Sequence, residues 1–302
     1  MKGASWSRFV LFLCCLFVPL QVSAQDEIII KGAHYPEGLF WDQRTSTLYY
    51  AEMPRDRIMR HVSGAPSVFF AYKGCGPTGI APIGDRWAIA CHIGRSLVIA
   101  DQEGRFVREI KSDGKGRALQ NPNDIVSDGT GVYLSDSGTF NPKAPASGAI
   151  YYWRPGHDLA RLLSGLHYAN GVTIKPDGET LFVSEHLGRR ILAVPIHTPG
   201  HLGKPRVFAD IGNLLTSAGP LTGPDGLEFS ENGRLYAAIY GAGRVMVFTA
   251  SGAYARTLRR PETYLTTVSY MNDRNALFTA GAFENLKYPY KGNISRVRLD
   301  LK

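Results

Sequence analysis

The sequence predicts an all-β protein, a single six-bladed β-propeller, and three observations support this. A unit of hydrophobic strand, polar turn and second strand recurs six times along the chain. Glycine (33 of 302 residues) and aromatic residues (11%) are abundant, as short strands joined by tight turns require. No long run places apolar residues at i, i+3, i+4 and i+7, which is the pattern of an amphipathic helix.

Each repeat begins with an inner strand, which we expect to line a central channel. These strands are predicted to begin at residues 37, 78, 123, 170, 225 and 267, roughly 40 to 55 residues apart. That spacing is typical of a four-stranded propeller blade. The second strands are predicted at 48–52, 87–91, 132–136, 181–185, 235–239 and 277–281. Outer strands follow at 96–100, 149–153, 191–194, 245–248 and 294–299. Six blades closed into a ring leave only short, protected edges; long hairpins without axial symmetry are the alternative.

The first residues are typical of an export signal. Lys2 and Arg8 supply a positive start, residues 9–20 an apolar core, and Val22-Ser23-Ala24 a cleavage site of small residues. The apolar run is too short to span a bilayer as a helix. We therefore expect residues 1–24 to be a signal peptide. The protein would be exported, periplasmic or secreted, and without a membrane anchor after cleavage.

The mature chain, residues 25–302, is predicted to be one domain, since propellers of this length are often single domains. The chain has 34 basic and 26 acidic residues, a formal charge of +8, and loss of Lys2 and Arg8 would leave +6. The basic residues are scattered, with no run longer than a pair such as Arg259-Arg260. This pattern indicates a solvated surface rather than a nucleic-acid interface. The expected partner is a small molecule.

Two of the four cysteines lie in the predicted signal, which leaves Cys75 and Cys91 in the mature chain. In an oxidising compartment, two remaining cysteines suggest one disulfide. They flank a predicted hairpin whose turn lies near residues 83–86. Two separate buried thiols are the alternative.

Oxygen-bearing side chains lead every predicted inner strand, and four of them are carboxylates or amides. Asn-Gly and Asp-Gly pairs usually mark turns. Each repeat, however, has its turn elsewhere, as at Asp177-Gly178. If the inner strands surround an axis, these side chains ring one mouth of the channel. The four are Glu37, Asn123, Asn170 and Asp225, and Thr78 and Thr267 lead the other two repeats.

Two carboxylates and two amides that converge on one point predict a metal site. An all-oxygen set with a charge of minus two suits a hard divalent cation, Ca²⁺ first, then Mg²⁺ or Mn²⁺. Zn²⁺ fits less well because no His or Cys leads a repeat. A bound cation polarises a carbonyl and lowers the pKa of bound water, so metal-assisted hydrolysis is the expected reaction class. A purely structural ion is the alternative.

The second strands run antiparallel to the first, so their far ends return to the same mouth. His92 and His186 follow two of these ends and are candidates for proton transfer, because imidazole titrates near neutral pH. Asp136 and Glu185 end two second strands and are candidates for substrate contact. Histidines at strand ends also occur as surface or packing residues. The sequence contains no Gly-x-Ser-x-Gly motif and no phosphate-binding glycine loop.

The mature chain resembles the senescence-marker-protein, gluconolactonase and luciferin-regenerating-enzyme family. The resemblance rests on Pro36-Glu37-Gly38-Leu39-Phe40-Trp41, Asn121-Pro122-Asn123-Asp124-Ile125, Ala169-Asn170-Gly171-Val172 with Pro176-Asp177-Gly178, and Gly223-Pro224-Asp225-Gly226-Leu227. It implies a six-bladed propeller with one catalytic divalent metal and hydrolysis of lactones. The family's metal set of Glu, Asn, Asn and Asp would fall on Glu37, Asn123, Asn170 and Asp225. Asn121 stands where the family often has a basic residue, and we assign it to substrate contact.

The leading hypothesis is an exported, Ca²⁺-dependent lactone hydrolase. Asp225 would both bind the metal and orient or deprotonate the nucleophile. Related propellers also cleave phosphotriesters, so a phosphotriester or other ester hydrolase at the same ion is a second hypothesis. A third is a non-catalytic propeller that binds a ligand or partner on this face.

Overall fold

The computed structural model describes residues 26–215 and 218–299, and the all-β prediction is confirmed over them. These residues form 25 strands and three single-turn 3₁₀ helices, at Met53–Arg55, Gly212–Leu214 and Asn272–Arg274. Four sheets are separate. The first contains β2 Pro36–Asp42, β3 Thr47–Glu52, β4 Arg57–His61 and β5 Ser67–Ala71, and the second contains β6 Pro77–Ile83, β7 Arg86–Cys91, β8 Ser96–Ala100 and β9 Phe106–Ile110. The third contains β10 Pro122–Ser127, β11 Val132–Asp136, β12 Gly148–Trp153 and β13 Ala160–Leu166, and the fourth contains β14 Ala169–Ile174, β15 Thr180–Glu185, β16 Arg190–Thr198, β17 His201–Leu202 and β18 Arg206–Asp210.

The prediction of six separate blades is wrong, because only four blades are separate sheets. The remaining strands form one eight-stranded sheet. Its strands are β1 Glu27–His34, β19 Gly223–Phe229, β20 Arg234–Tyr240, β21 Arg244–Thr249, β22 Tyr254–Arg259, β23 Tyr264–Met271, β24 Ala276–Ala282 and β25 Lys291–Arg298. The last two predicted blades join because Tyr240 of β20 pairs with Tyr264 of β23, and their ring centroids lie 5.0 Å apart. The repeat pattern cannot show this junction, since it describes each unit alone.

The inner strands β2, β6, β10, β14, β19 and β23 contact one another in that order, and β23 returns to β2. They therefore enclose a central channel. Strand β1, which the sequence analysis did not predict, pairs antiparallel with β25. The first and last strands thus lie side by side, and the Arg260 guanidinium contacts Asp26 Oδ2 at 2.5 Å.

Glycines allow the inner strands to approach closely around the channel. A Cβ atom on Gly171 would lie 2.7 Å from the Cα of Gly226, and one on Gly38 would lie 2.6 Å from the Cα of Gly79. Both distances are shorter than real Cβ contacts, so these positions require glycine. Asn170-Gly171 and Asp225-Gly226 therefore lie inside strands and do not form turns.

The hydrophobic core lies between neighbouring sheets. Leu97 and Ile99 of β8 pack in one cluster with Leu134 of β11, and all three are fully buried. A second cluster includes Tyr49, whose ring centroid lies 4.7 Å from that of Trp87. Central strands such as β3, β8 and β12 are buried along their whole length, so both faces of a sheet pack against neighbouring sheets.

Cys75 and Cys91 form a disulfide, which decides between the two alternatives left open by the sequence. Their Cα atoms lie 4.6 Å apart, and both residues are fully buried. The bond joins the segment before β6 to the end of β7. The predicted signal peptide, residues 1–24, lies outside the described residues. In the part of the chain that the structure describes, no helix has the length and apolar character needed to cross a bilayer.

Candidate metal and substrate site

The four predicted metal-binding residues line the same two adjoining cavities. Glu37, Asn123, Asn170 and Asp225 surround a very small space at the channel axis and form the floor of a cavity of about 220 Å³ above it. They come from four different inner strands, β2, β10, β14 and β19. Thr78 of β6 also lines both spaces. Residues at the same position of different repeats therefore lie close together in the folded protein.

A β-bulge explains why the leading side chains face the channel. In five inner strands the register with the second strand shifts at the leading residue, for example between Glu37 and Leu39 and between Pro224 and Leu227. In β23 the shift falls at Thr266, so the predicted leading residue Thr267 is one position too late. A bulge bends its strand and turns a side chain away from the regular alternation. Its recurrence at one position gives the ring of polar groups.

The electrostatics of the floor favour a cation. Asp225 is buried, and burial together with the charge of Asp124 raises its pKa well above the ordinary value. Burial and the charge of Asp225 likewise raise the pKa of Glu37. Neither cavity is lined by a lysine or arginine that would neutralise these carboxylates. A divalent cation would offset the repulsion between them.

The donor set fits a hard cation by chemistry. Across residues 26–215 and 218–299, no group of three His, Cys, Asp or Glu side chains could hold a metal ion, so a site here needs the two amides as ligands. The predicted set contains two carboxylates and two amides, so its ligands are all oxygens. Such a set suits Ca²⁺ better than Zn²⁺.

Both predicted histidines line the cavity, and both are held by backbone carbonyls. His92 Nδ1 lies 3.0 Å from the carbonyl oxygen of Pro122, and His186 Nε2 lies 3.0 Å from that of Leu221. Burial lowers the pKa of His92 and lowers that of His186 to about 4. Both rings are therefore neutral near pH 7.

His186 also orients one of the floor residues. Its Nε2 carries the proton that Leu221 O accepts, so its Nδ1 is an acceptor. Asn170 Nδ2 lies 3.4 Å from this Nδ1, and Asp225 Oδ2 lies 4.0 Å from it. The amide nitrogen of Asn170 thus faces His186 and Asp225, which leaves its oxygen for a cation.

Asp136, Glu185 and Asn121 do not line the cavity. Asp136 Oδ1 accepts the backbone N–H of Asn121 at 2.6 Å, and Glu185 Oε1 accepts that of His167 at 2.9 Å. Each carboxylate therefore fastens the segment that leads into the inner strand of its own sheet. Their assignment to substrate binding stays a prediction, and the proposals below do not depend on it.

The sequence analysis missed three aromatic residues of the cavity wall, Tyr35, Phe140 and Tyr168. Two of them stand at the same position of their repeats. Tyr35 stands two residues before Glu37 and Tyr168 two residues before Asn170, and both have positive φ angles, 45° and 67°. A tyrosine in the left-handed region is strained, and such strain is common at functional sites. Phe140 lies in the loop between β11 and β12, where no repeat marks it.

The sequence profile of the SMP-30/gluconolactonase/LRE-like region matches residues 35–282. The chain belongs to this family. The match covers most of the chain, including all four floor residues, and it confirms the resemblance inferred from the motifs.

Several relatives in the family are named lactonase drp35. The protein from Staphylococcus saprophyticus is 24% identical over 233 residues, 72% of this chain and 67% of the relative. That from Staphylococcus haemolyticus is 26% identical over 227 residues, 72% of this chain and 66% of the relative. The Staphylococcus aureus MW2 protein aligns over 44% of each chain at 27% identity. The alignments thus reach about two thirds of the first two relatives and less than half of the third.

Solved structures of similar proteins show the same fold. A gluconolactonase from Xanthomonas campestris has a TM-score of 0.74 at 22% identity, covering 91% of this chain and 89% of its own. A calcium-binding protein from Agrobacterium tumefaciens, named regucalcin, has a TM-score of 0.75 at 20% identity over 91% and 94%. A luciferin-regenerating enzyme has a TM-score of 0.73 at 17% identity over 91% and 95%.

Proposed function

We propose that this protein is a divalent-metal-dependent hydrolase that opens lactones. The observation that carries the proposal is the convergence of Glu37, Asn123, Asn170 and Asp225 at the floor of one cavity. The family supports the reaction, because its members include proteins named lactonase and gluconolactonase. The substrate is therefore a small molecule that contains a cyclic ester.

The same four residues would hold the cation, and Ca²⁺ is our first choice. Its support is the all-oxygen donor set and a structural neighbour named as a calcium-binding protein. When bound, such an ion polarises a carbonyl and lowers the pKa of bound water. An exported location is proposed on the signal-like residues 1–24 and on the disulfide.

The chain's own residues supply the proton transfers. Asp225 accepts a proton from the attacking water, because a bound cation would keep this buried carboxylate ionised and available as a base. The water oxygen bonds to the carbonyl carbon, the ring C–O bond breaks, and the departing ring oxygen takes up the proton. His186 holds the amide of Asn170, which in turn bonds to Asp225, and the neutral His92 ring has Nε2 left for a substrate.

Chelation and one substitution test the proposal. We expect lactone hydrolysis in a pH-stat to be abolished by EDTA and restored by Ca²⁺. Asp225→Asn keeps the shape of the side chain but removes the base and a metal ligand, so kcat/KM should fall by about 10² or more. Asp177→Asn, at an exposed turn, is the matched control and should retain wild-type activity.

Circular dichroism should show that both variants keep the strand content of the wild type. Undiminished turnover in Asp225→Asn would refute the assignment of the base. No turnover of any lactone with metal present would refute the function. Hydrolysis of phosphotriesters alone would favour the second hypothesis at the same site.

A further inference from the structure

The wall of the cavity above the floor is mostly aromatic. Tyr35, Met53, Phe140, Tyr168 and Tyr240 line it, and no lysine or arginine does. The Phe140 ring centroid lies 4.6 Å from that of Tyr168, so these two rings form one continuous apolar surface. Such a surface stabilises apolar groups of a ligand by removing them from water.

Two of the three phenol hydroxyls of this wall are paired with each other. Tyr35 Oη lies 3.0 Å from Tyr240 Oη, and Asn285 Nδ2 donates to Tyr240 Oη at 2.8 Å. Phenols keep their protons at neutral pH. The bond between them uses one of their two protons, so the other proton and that of the Tyr168 hydroxyl are the phenolic donors left for a ligand.

Several other polar groups of the wall are already hydrogen-bonded within the protein. His92 Nδ1 and Thr78 Oγ1 both bond to the carbonyl of Pro122, at 3.0 and 3.3 Å. The His186 ring is used at both nitrogens. The wall donors that remain are His92 Nε2, the Tyr168 hydroxyl and one proton of the Tyr35–Tyr240 pair. A lactone with several hydroxyl groups would leave some of them without partners, which is unfavourable in a buried site. The wall is therefore poorly suited to a polyhydroxylated sugar lactone.

Exposed apolar residues adjoin residues of the wall, by ring packing, by a backbone hydrogen bond or by chain neighbourhood. Phe140 is 40% exposed, and its ring centroid lies 5.5 Å from that of His186. Leu221 is 41% exposed, and its carbonyl accepts the His186 proton. Leu286, 91% exposed, directly follows Asn285, which bonds to the wall residue Tyr240. Apolar groups gathered at a cavity mouth mark a binding surface more often than scattered ones do.

We infer that the substrate is a lactone with an apolar substituent, such as an alkyl chain. The inference rests on the proposed function and names its substrate class. The lactone ring lies at the floor, near Asp225, and the substituent lies along Tyr168 and Phe140 and leaves the cavity past Leu221. Because a buried methylene contributes about 0.8 kcal/mol, kcat/KM should rise about fourfold for each methylene that the wall covers.

A chain-length series tests the inference. With Ca²⁺ present, kcat/KM is measured for γ-butyrolactone, γ-hexanolactone, γ-octanolactone, γ-decanolactone and glucono-δ-lactone. We expect a rise along the alkyl series and slow turnover of the sugar lactone. Leu221→Ser and Leu286→Ser should lower kcat/KM for the long lactones more than for γ-butyrolactone. Leu286 is almost fully exposed, so its substitution leaves the fold intact.

Val107→Ser is the matched control, because Val107 is 41% exposed, like Leu221, but lies on the outer strand β9. It should reproduce the wild-type series. Equal kcat/KM values along the alkyl series, or faster turnover of the sugar lactone than of γ-octanolactone, would overturn the inference. If EDTA and Asp225→Asn still abolish that turnover, the proposed function stands. Absence of turnover with every lactone overturns the proposed function itself.

Discussion

Glu228 gives a quantitative test of the electrostatics inside the channel. It lies on β19, further along the channel than Asp225, and lines a cavity of about 400 Å³ together with Asp124. Burial, and then the charge of Asp124, raises the pKa of Glu228 from 4.5 to about 8. Glu228→Gln keeps the size of the side chain and removes its charge.

Proton linkage gives the direction in which the free energy of unfolding changes with pH. Between pH 4.5 and 8 the folded state keeps the Glu228 proton that the unfolded state has lost, so the free energy of unfolding falls as pH rises. The slope is about 1.4 kcal/mol per pH unit, which amounts to about 5 kcal/mol across the window. Part of the side chain faces the cavity, where water screens the charge, so this is an upper value.

Urea unfolding of the metal-free protein in EDTA, from pH 4 to 9, measures the effect. The free energies of wild type and Glu228→Gln should change together below pH 4.5 and diverge above it, with the variant more stable near pH 8. Glu231→Gln, at the exposed turn of the same hairpin, is the control and should follow the wild type. Parallel curves for wild type and Glu228→Gln would refute the argument.

Two further predictions concern parts of the fold that support the site. Replacing both Cys75 and Cys91 by alanine opens a loop with a sequence separation of 16 residues, so the free energy of unfolding should fall by about 3 kcal/mol. Wild type treated with a reductant should show the same loss, and equal urea midpoints would contradict the role of the disulfide. Asp136→Asn weakens an acceptor of the half-buried Asn121 backbone amide and should lower stability by about 1–3 kcal/mol with an unchanged KM. A raised KM at unchanged stability would instead support substrate binding by Asp136.

Much of the candidate site was predictable because its signal repeats. Glu37, Asn123, Asn170 and Asp225 recur at one position of the unit, and a bulge at that position turns each toward the channel. The aromatic wall was less predictable. Phe140 reaches His186 from an irregular loop, and nothing in the repeat indicates that contact.

The sequence by itself determined the all-β class, the position of each inner strand and the family, because strand period, turn residues and motifs are local patterns. Only the tertiary structure decided that two of the predicted blades share one sheet, through Tyr240 and Tyr264. It also decided which polar side chains line the cavity and which are hydrogen-bonded to the backbone. The physical reason is that the residues in these contacts are far apart in the sequence, so no local pattern relates them. Tyr35 and Tyr240 are 205 residues apart and share a hydrogen bond that exists only once the ring of strands has closed.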